Sequence, residues 1–300
     1  MSADLWMILI NILLTAFCSI TARLGMQVMD PLPFAVLSLL VAAIPLVARS
    51  AQTGRLSRLW ERRFLLPLAG LGLLATSITS LLLFYAGRTV PASRIVILGQ
   101  VEILIAILFG ALVLKEHVGF AQIGATALIL AGMLLALKAG PLERFGRGEL
   151  MILAMPLCFQ LSHLIGKRLL PDLGPDLVSA GRIVYGLAFL LPLIPFLAPA
   201  SSWARCLESP RAIGLILFQG LIINALSVSL WYTSLVRGDL SKITTLLLTY
   251  PLLTLFLAKF IPGLEETVMP MQFVGAALVV AGGSLLSRIP SRAAVKAELL

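Results

Sequence analysis

Residues 116–138 read EHVGFAQIGATALILAGMLLALK, and residues 266–288 read ETVMPMQFVGAALVVAGGSLLSR. Laid on one another, they agree at eight of 23 positions: Glu116/Glu266, Val118/Val268, Gln122/Gln272, Ala127/Ala277, Leu128/Leu278, Ala131/Ala281, Gly132/Gly282 and Leu135/Leu285. Chance in so Leu- and Ala-rich a chain gives about three agreements. Polar and small residues match as well as leucines, so shared apolar composition does not account for the likeness. A second block pairs Met7-Ile8-Leu9 with Met151-Ile152-Leu153, Leu13 with Leu157, Arg23 with Lys167 and Pro31 with Pro175. The offset grows from 144 to 150 along the chain, as small loop insertions produce. The sequence therefore reads as two copies of one unit, joined at the polar stretch 139–149.

Composition says where those units reside. Of the 300 residues, 59% are hydrophobic and 12% charged, against about 25% charged in a soluble domain. Mean hydropathy is +1.02. There is too little polar surface to cover a water-facing fold of this length. Disordered chains are poor in apolar residues and rich in charge, so that class is excluded too. The apolar runs do not alternate with polar residues as barrel strands do. The expectation is an all-α membrane protein. Ten spans of about 20 residues each would use roughly two-thirds of the chain. Candidate helices lie at 4–27, 32–48, 64–87, 92–114, 118–138, 149–170, 176–198, 212–236, 240–260 and 268–288. Asp30-Pro31, Pro91, Gly174-Pro175 and Pro262-Gly263 mark turns.

Five helices per repeat is an odd number, so the second copy enters the membrane upside down. Inverted five-helix repeats of this kind recur in secondary transporters, with the solute site near the midplane between the halves. The repeats are expected at 1–140 (first to fifth helices) and 148–290 (sixth to tenth), with a cytoplasmic tail at 291–300. With the N-terminus inside, Lys and Arg of the connections number thirteen inside against nine outside, which favours cytoplasmic termini. The start, MSADLWMILI, lacks a basic n-region, so the first apolar run is expected to be retained as a helix.

The net charge of +9 belongs to connections and not to a nucleic-acid surface. Its largest run, Arg49 to Arg63, carries a single aromatic, Trp60, and no known binding motif. Cys18, Cys158 and Cys206 show neither metal nor redox spacing. HExxH, GxSxG, an Asp-rich prenyl motif and a P-loop are missing from the sequence, which argues against an enzyme or an ATP-driven pump. No cofactor and no metal site is expected.

The repeat also resembles a known family, the ten-helix EamA-type transporters of the drug/metabolite transporter superfamily. That repeat commonly carries a Glu-Pro pair in its fourth helix, a Glu at that helix's end, then Gln, Gly and Ala-Gly in its fifth. The first half has Glu102, Glu116, Gln122, Gly124, Ala131 and Gly132. The second has Pro251, Glu265-Glu266, Gln272, Gly275, Ala281 and Gly282. The halves depart in complementary ways: Ile103 stands in the place of the Pro and Tyr250 in the place of the Glu. The first helix reads Cys18-Ser19-Ile20 where many members have Trp-Gly. The resemblance covers nearly the whole chain. It implies a multi-pass protein of the bacterial inner membrane, both termini cytoplasmic, acting as a monomer or homodimer. It also implies export of small organic metabolites, amino acids or related amphipathic compounds, by alternating access. A non-transporting receptor or scaffold, or a membrane-embedded lipid-modifying enzyme, is the alternative.

Polar residues inside spans are the candidate site. Glu102, in the middle of the fourth helix, is a candidate for proton coupling; a protonated Glu locking two helices is the bland alternative. Pro156, Gln160, His163 and Lys167 share one face of the sixth helix, and His163 titrates near neutral pH, making it the second proton or solute candidate. The matching face of the first helix carries Asn11, Thr15, Ser19 and Arg23. Two such stripes fit a cavity between inverted halves, although interhelical hydrogen bonding recruits the same residue types. Further solute candidates are Tyr85, Asn224, Ser227, Trp231, Thr245, Thr249 and Tyr250. Arg182 is a candidate for binding an anionic group, or else it snorkels to the interface. The small-residue ridges of the fifth and tenth helices read as packing surfaces.

Overall fold

A computed structural model describes residues 3–112, 119–139, 145–237, 250–264 and 266–288. Among these the secondary structure is helical, with no strand. The first two helices are α1 (Ala3–Val28) and α2 (Pro31–Gln52). A 3-10 turn, Leu56–Trp60, leads into α3 (Arg62–Gly87). α4 is made of two pieces, Ala92–Gly99 and Val101–Leu112, and α5 spans Phe120–Ala139. The helical stretch Arg147–Leu190 bends at Gly174 into two arms, α6 before the bend and α7 after it. The short α8 (Ala200–Glu208) follows. α9 runs through Pro210–Leu217, Phe218–Ser227 and Val228–Arg237. α10 (Tyr250–Phe260) and α11 (Pro270–Ser287) complete the described fold.

By length and composition, seven stretches among the described residues can cross a membrane, the longest being Arg147–Leu197 with 51 residues. One crossing takes about 20 residues, so that stretch must turn. It does so at Gly174, whose φ of 77° is a left-handed conformation that glycine adopts freely. Pro175 then opens α7, where a missing N–H costs nothing. Large apolar side chains on the outside, such as Phe120 at 93% and Leu66 at 82% exposed, are at home against lipid.

The helices depart from the expected set in four places. The segment before residue 212, expected as a loop, contains α8. The helix expected at 92–114 breaks at Gln100. There the chain tightens to bonds three residues apart, Gln100 N–H to Ile97 O at 3.1 Å and Ile103 N–H to Gln100 O at 3.0 Å. The break coincides with a tertiary bond, Gln100 Nε2 donating to Tyr250 Oη at 2.8 Å. The other two departures are π turns, Leu73–Ile78 in α3 and Phe218–Ser227 in α9. Such turns carry an extra residue and loosen the carbonyl ladder. In α3, Ser77 Oγ donates to Gly72 O at 3.3 Å and to Gly186 O of α7 at 2.7 Å. Glu116, Thr245, Thr249, Glu265 and the tail 291–300 lie outside the described residues.

The backbones touch where glycines allow it. A Cβ on Gly72 would sit 2.5 Å from Gly186 N, joining α3 to α7, and one on Gly220 would sit 2.6 Å from Ser38 O, joining α9 to α2. The ridges on α5 and α11 face each other, with Gly132 against Gly275 O and Gly275 against Gly132 O. The main core lies around Phe34, Phe84, Leu39, Leu68 and Ile152, with the two phenylalanine rings 4.8 Å apart.

Polar links gather at the end of the bundle that holds the α1–α2 and α3–α4 corners. Asp30 takes Arg88 and also the Ser202 hydroxyl, the latter at 2.6 Å. Arg94 meets Glu149 at 3.3 Å. Glu266 accepts from the N–H groups of Ala92 at 2.5 Å and Ser93 at 3.0 Å, capping α4 from the α10–α11 connection. A carboxylate there satisfies orphan N–H groups and meets the positive helix end. Glu266→Ala is expected to cost about 1–2 kcal/mol, measured as thermal unfolding of the detergent-solubilised protein. An unchanged transition would rule out a stabilising cap. At the opposite end Arg49 pairs with Asp176 at 2.9 Å, and Arg55 and Arg58 donate to Asp172 O.

Candidate functional site

Three helices, α4, α6 and α9, bring side chains with polar groups together inside the bundle. Glu102 stands in the first turn of the second α4 piece. Gln160 of α6 donates Nε2 to Glu102 Oε1 at 3.4 Å, and His163 Nε2, one turn further on, lies 3.7 Å from the same oxygen. The indole of Trp231 on α9 meets the His163 ring edge-on, with centroids 5.4 Å apart. Glu102 and His163 side chains each keep 35% of their surface accessible. An apolar run has no reason to carry a carboxylate, an amide and an imidazole on facing surfaces unless they serve each other or a solute. Glu102 and Gln100, two residues apart, turn to different neighbours, Gln160 and Tyr250.

The first helix adds a second polar stretch. Asn11 is buried and accepts from Ser227 Oγ of α9 at 2.7 Å. Thr15 donates back to Asn11 O at 2.7 Å. The Ser19 hydroxyl is buried without a partner among the described residues. Arg23 leaves this row, donating to Gly87 O and Arg88 O at the end of α3. Arg182 of α7 bonds to the middle of α3: its Nε donates to Thr76 Oγ1 at 3.2 Å and its Nη2 to Ala75 O at 2.7 Å.

The other candidates reach separate neighbours. Asn224, Ser227 and Trp231, spaced to share one helical face, reach three different helices: Ser38 of α2, Asn11 of α1 and His163 of α6. The π turn of α9 covers the first two and alters the register. Tyr85 lies beside Arg88, with the guanidinium 5.6 Å from its ring centroid, near the end of α3. Lys167 is exposed. Thr245 and Thr249 cannot be placed, being outside the described residues.

Gln219, Thr21 and Thr254, not singled out from the sequence, also link helices to α1. Gln219 is buried and accepts from Thr21 Oγ1 at 2.5 Å. Thr254 donates to Ala16 O at 3.1 Å, tying α10 to α1. Gln219 had a readable signal, since an amide inside an apolar run needs a partner. Among the described residues no group of three or more His, Cys, Asp or Glu is placed to hold a metal ion.

Comparison with known proteins agrees with this architecture. The EamA-like transporter family model matches residues 1–138 and again 146–288. The probable terminal-alkyne amino-acid exporter of Streptantibioticus cattleyicolor is 26% identical over 289 residues, covering 96% of this chain and 94% of that protein. A solved crystal structure shares the fold with a TM-score of 0.69 at 17% identity, over 95% of this chain and 97% of the other. With a family unit matched in each half and apolar helices long enough to span a bilayer, the chain belongs to the EamA-like transporter family and is a multi-pass membrane transporter.

Proposed function

We propose that this transporter exports small organic metabolites, amino acids or related amphipathic compounds, by alternating access around a midplane cavity, with proton coupling at Glu102 and His163. The observation that carries the reading is the partly accessible Glu102 carboxylate, shared by Gln160 and His163, with Trp231 against the His163 ring. A carboxylate at this depth is costly when charged and alone, so its charge state depends on what else occupies the site. Asn11, Thr15, Ser19, Ser227 and Tyr250 supply further polar contacts, and Trp231 supplies a face for an apolar or cationic group. The exporter named among the relatives favours the same solute class.

Ten helices in two inverted repeats, 1–140 and 148–290, are the architecture proposed for it. The packing supports that reading by its reciprocity. α1 packs on α10 as α6 packs on α4, and α2 packs on the π turn of α9 as α7 packs on that of α3. α1 packs on the last part of α3 as α6 packs on the last part of α9. α5 packs on α11, its own repeat counterpart. Exchanging first half for second maps each of these contacts onto another. We place the protein in a bacterial inner membrane with both termini cytoplasmic, as a monomer or homodimer.

The test is flux in proteoliposomes of the purified chain, loaded with a labelled panel of amino acids, amines and organic acids, with and without a pH gradient. Protein-dependent efflux of one solute class is expected. No flux of any member in either condition would contradict the proposal.

A further inference from the structure

We propose that Arg182 is the anchor for a carboxylate on the transported solute, with Thr76 as the positioning residue that aims it. The inference rests on the transport reading above. Arg182 lies eight residues past the Gly174 bend, about 12 Å along a helix, which is near the middle of a hydrocarbon core about 30 Å thick. Snorkelling would carry the guanidinium to the interface. Instead it is bent onto the central π turn of α3, held by the buried Thr76 hydroxyl and by Ala75 O.

Both of those acceptors are neutral. A guanidinium has five N–H donors and keeps its charge. Among the described residues no carboxylate pairs with Arg182, and Nη1 has no partner. The guanidinium sits at the contact of α3 with α7, where the two halves of the chain meet. A cation held at this depth by neutral acceptors alone calls for an anion. The flat two-pronged edge fits a carboxylate best, since two parallel N–H···O bonds can form at once. Glu102 meets His163 of α6 and makes no ion pair with Arg182. A solute carrying a carboxylate supplies the partner that Arg182 lacks.

The π turn gives this a mechanical basis. Ser77 fastens the turn to Gly186 O, one helical turn beyond Arg182 on α7. The anchor is therefore gripped by both helices, and relative movement of α3 and α7 would re-aim it.

The experiment uses three matched probes: L-leucine, its decarboxylated amine isoamylamine, and its deaminated acid 4-methylpentanoate. Ligand-induced thermal stabilisation of the detergent-solubilised full chain is measured first, then leucine flux in proteoliposomes. The wild type is expected to be stabilised by leucine and by 4-methylpentanoate. Arg182→Gln is expected to weaken both responses at least about tenfold, the scale of one charge-assisted hydrogen bond, and to leave the isoamylamine response unchanged. Thr76→Val, which keeps the charge and the shape, is expected to raise KM for leucine with kcat retained. Equal carboxylate responses in wild type and Arg182→Gln overturn the proposal, as does a wild type that neither acid-bearing probe stabilises. Either result leaves flux of other solutes intact, whereas absence of all flux in the wild type strikes the transport reading instead.

Discussion

Glu102→Gln in proteoliposomes is expected to abolish solute accumulation driven by a pH gradient while leaving exchange without a gradient in place. If one proton moves per solute, a difference of one pH unit sustains about a tenfold concentration ratio, since one unit is worth about 1.4 kcal/mol. With glutamine the ratio falls to about one. Exchange survives because the amide can still bond to Gln160, which now meets Glu102 at 3.4 Å. The carboxylate does not act in isolation. His163 approaches it from α6, and Tyr250 and Arg182 belong to the neighbouring α10 and α7. The measurement is the steady-state ratio of labelled solute at fixed pH difference, compared with the wild type and with His163→Gln. A tenfold ratio retained in Glu102→Gln removes Glu102 from the coupling role.

The second large effect concerns stability. Gly132→Leu is expected to prevent the α5–α11 seam from closing. A Cβ at this position would lie 2.6 Å from Gly275 O and 2.9 Å from the Leu278 Cβ and the Val279 N. Backbone is on the receiving side, so no rotamer change relieves the clash, and the helices must separate. Overpacking costs about 1–3 kcal/mol in ordinary cores, and a rigid backbone neighbour puts this case at about 3 kcal/mol or above. Thermal unfolding in detergent, together with the yield of monodisperse protein, reads the effect. Gly124→Ala on the same helix is the control, because a Cβ there meets nothing within 4 Å and is expected to be neutral. A Gly132→Leu protein as stable as the control contradicts the seam.

The helical membrane class was readable because the bilayer imposes length and apolarity on every crossing. The bend at Gly174-Pro175 was readable because a positive φ and a helix start select those two residues. The break at Gln100 was not, because its partner Tyr250 lies 150 residues away. The π turn of α3 was hidden for the same reason: Ser77 bonds to a carbonyl 109 residues off, and no local periodicity announces it. Among the candidate residues, Glu102, Gln160 and His163 stood out as polar groups in apolar runs, and the structure brings them together. The shared face drawn through Asn224, Ser227 and Trp231 assumed a regular 3.6-residue repeat, and a π turn breaks that assumption. Gln219 is a lone amide in the apolar run 212–236, and its partner Thr21 is 198 residues distant.

Alternating access requires a site between two halves that opens to one side of the membrane at a time. Cysteine labelling measures this directly. Cys18, Cys158 and Cys206 are replaced by alanine, Ser227→Cys is introduced beside Asn11, and a membrane-impermeant thiol reagent is applied to either face of sealed vesicles. Labelling is expected from one face, with a shift of reactivity towards the other face when a transported solute is present at saturation. An introduced thiol that stays unreactive from both faces, with and without solute, would contradict alternating access at this site.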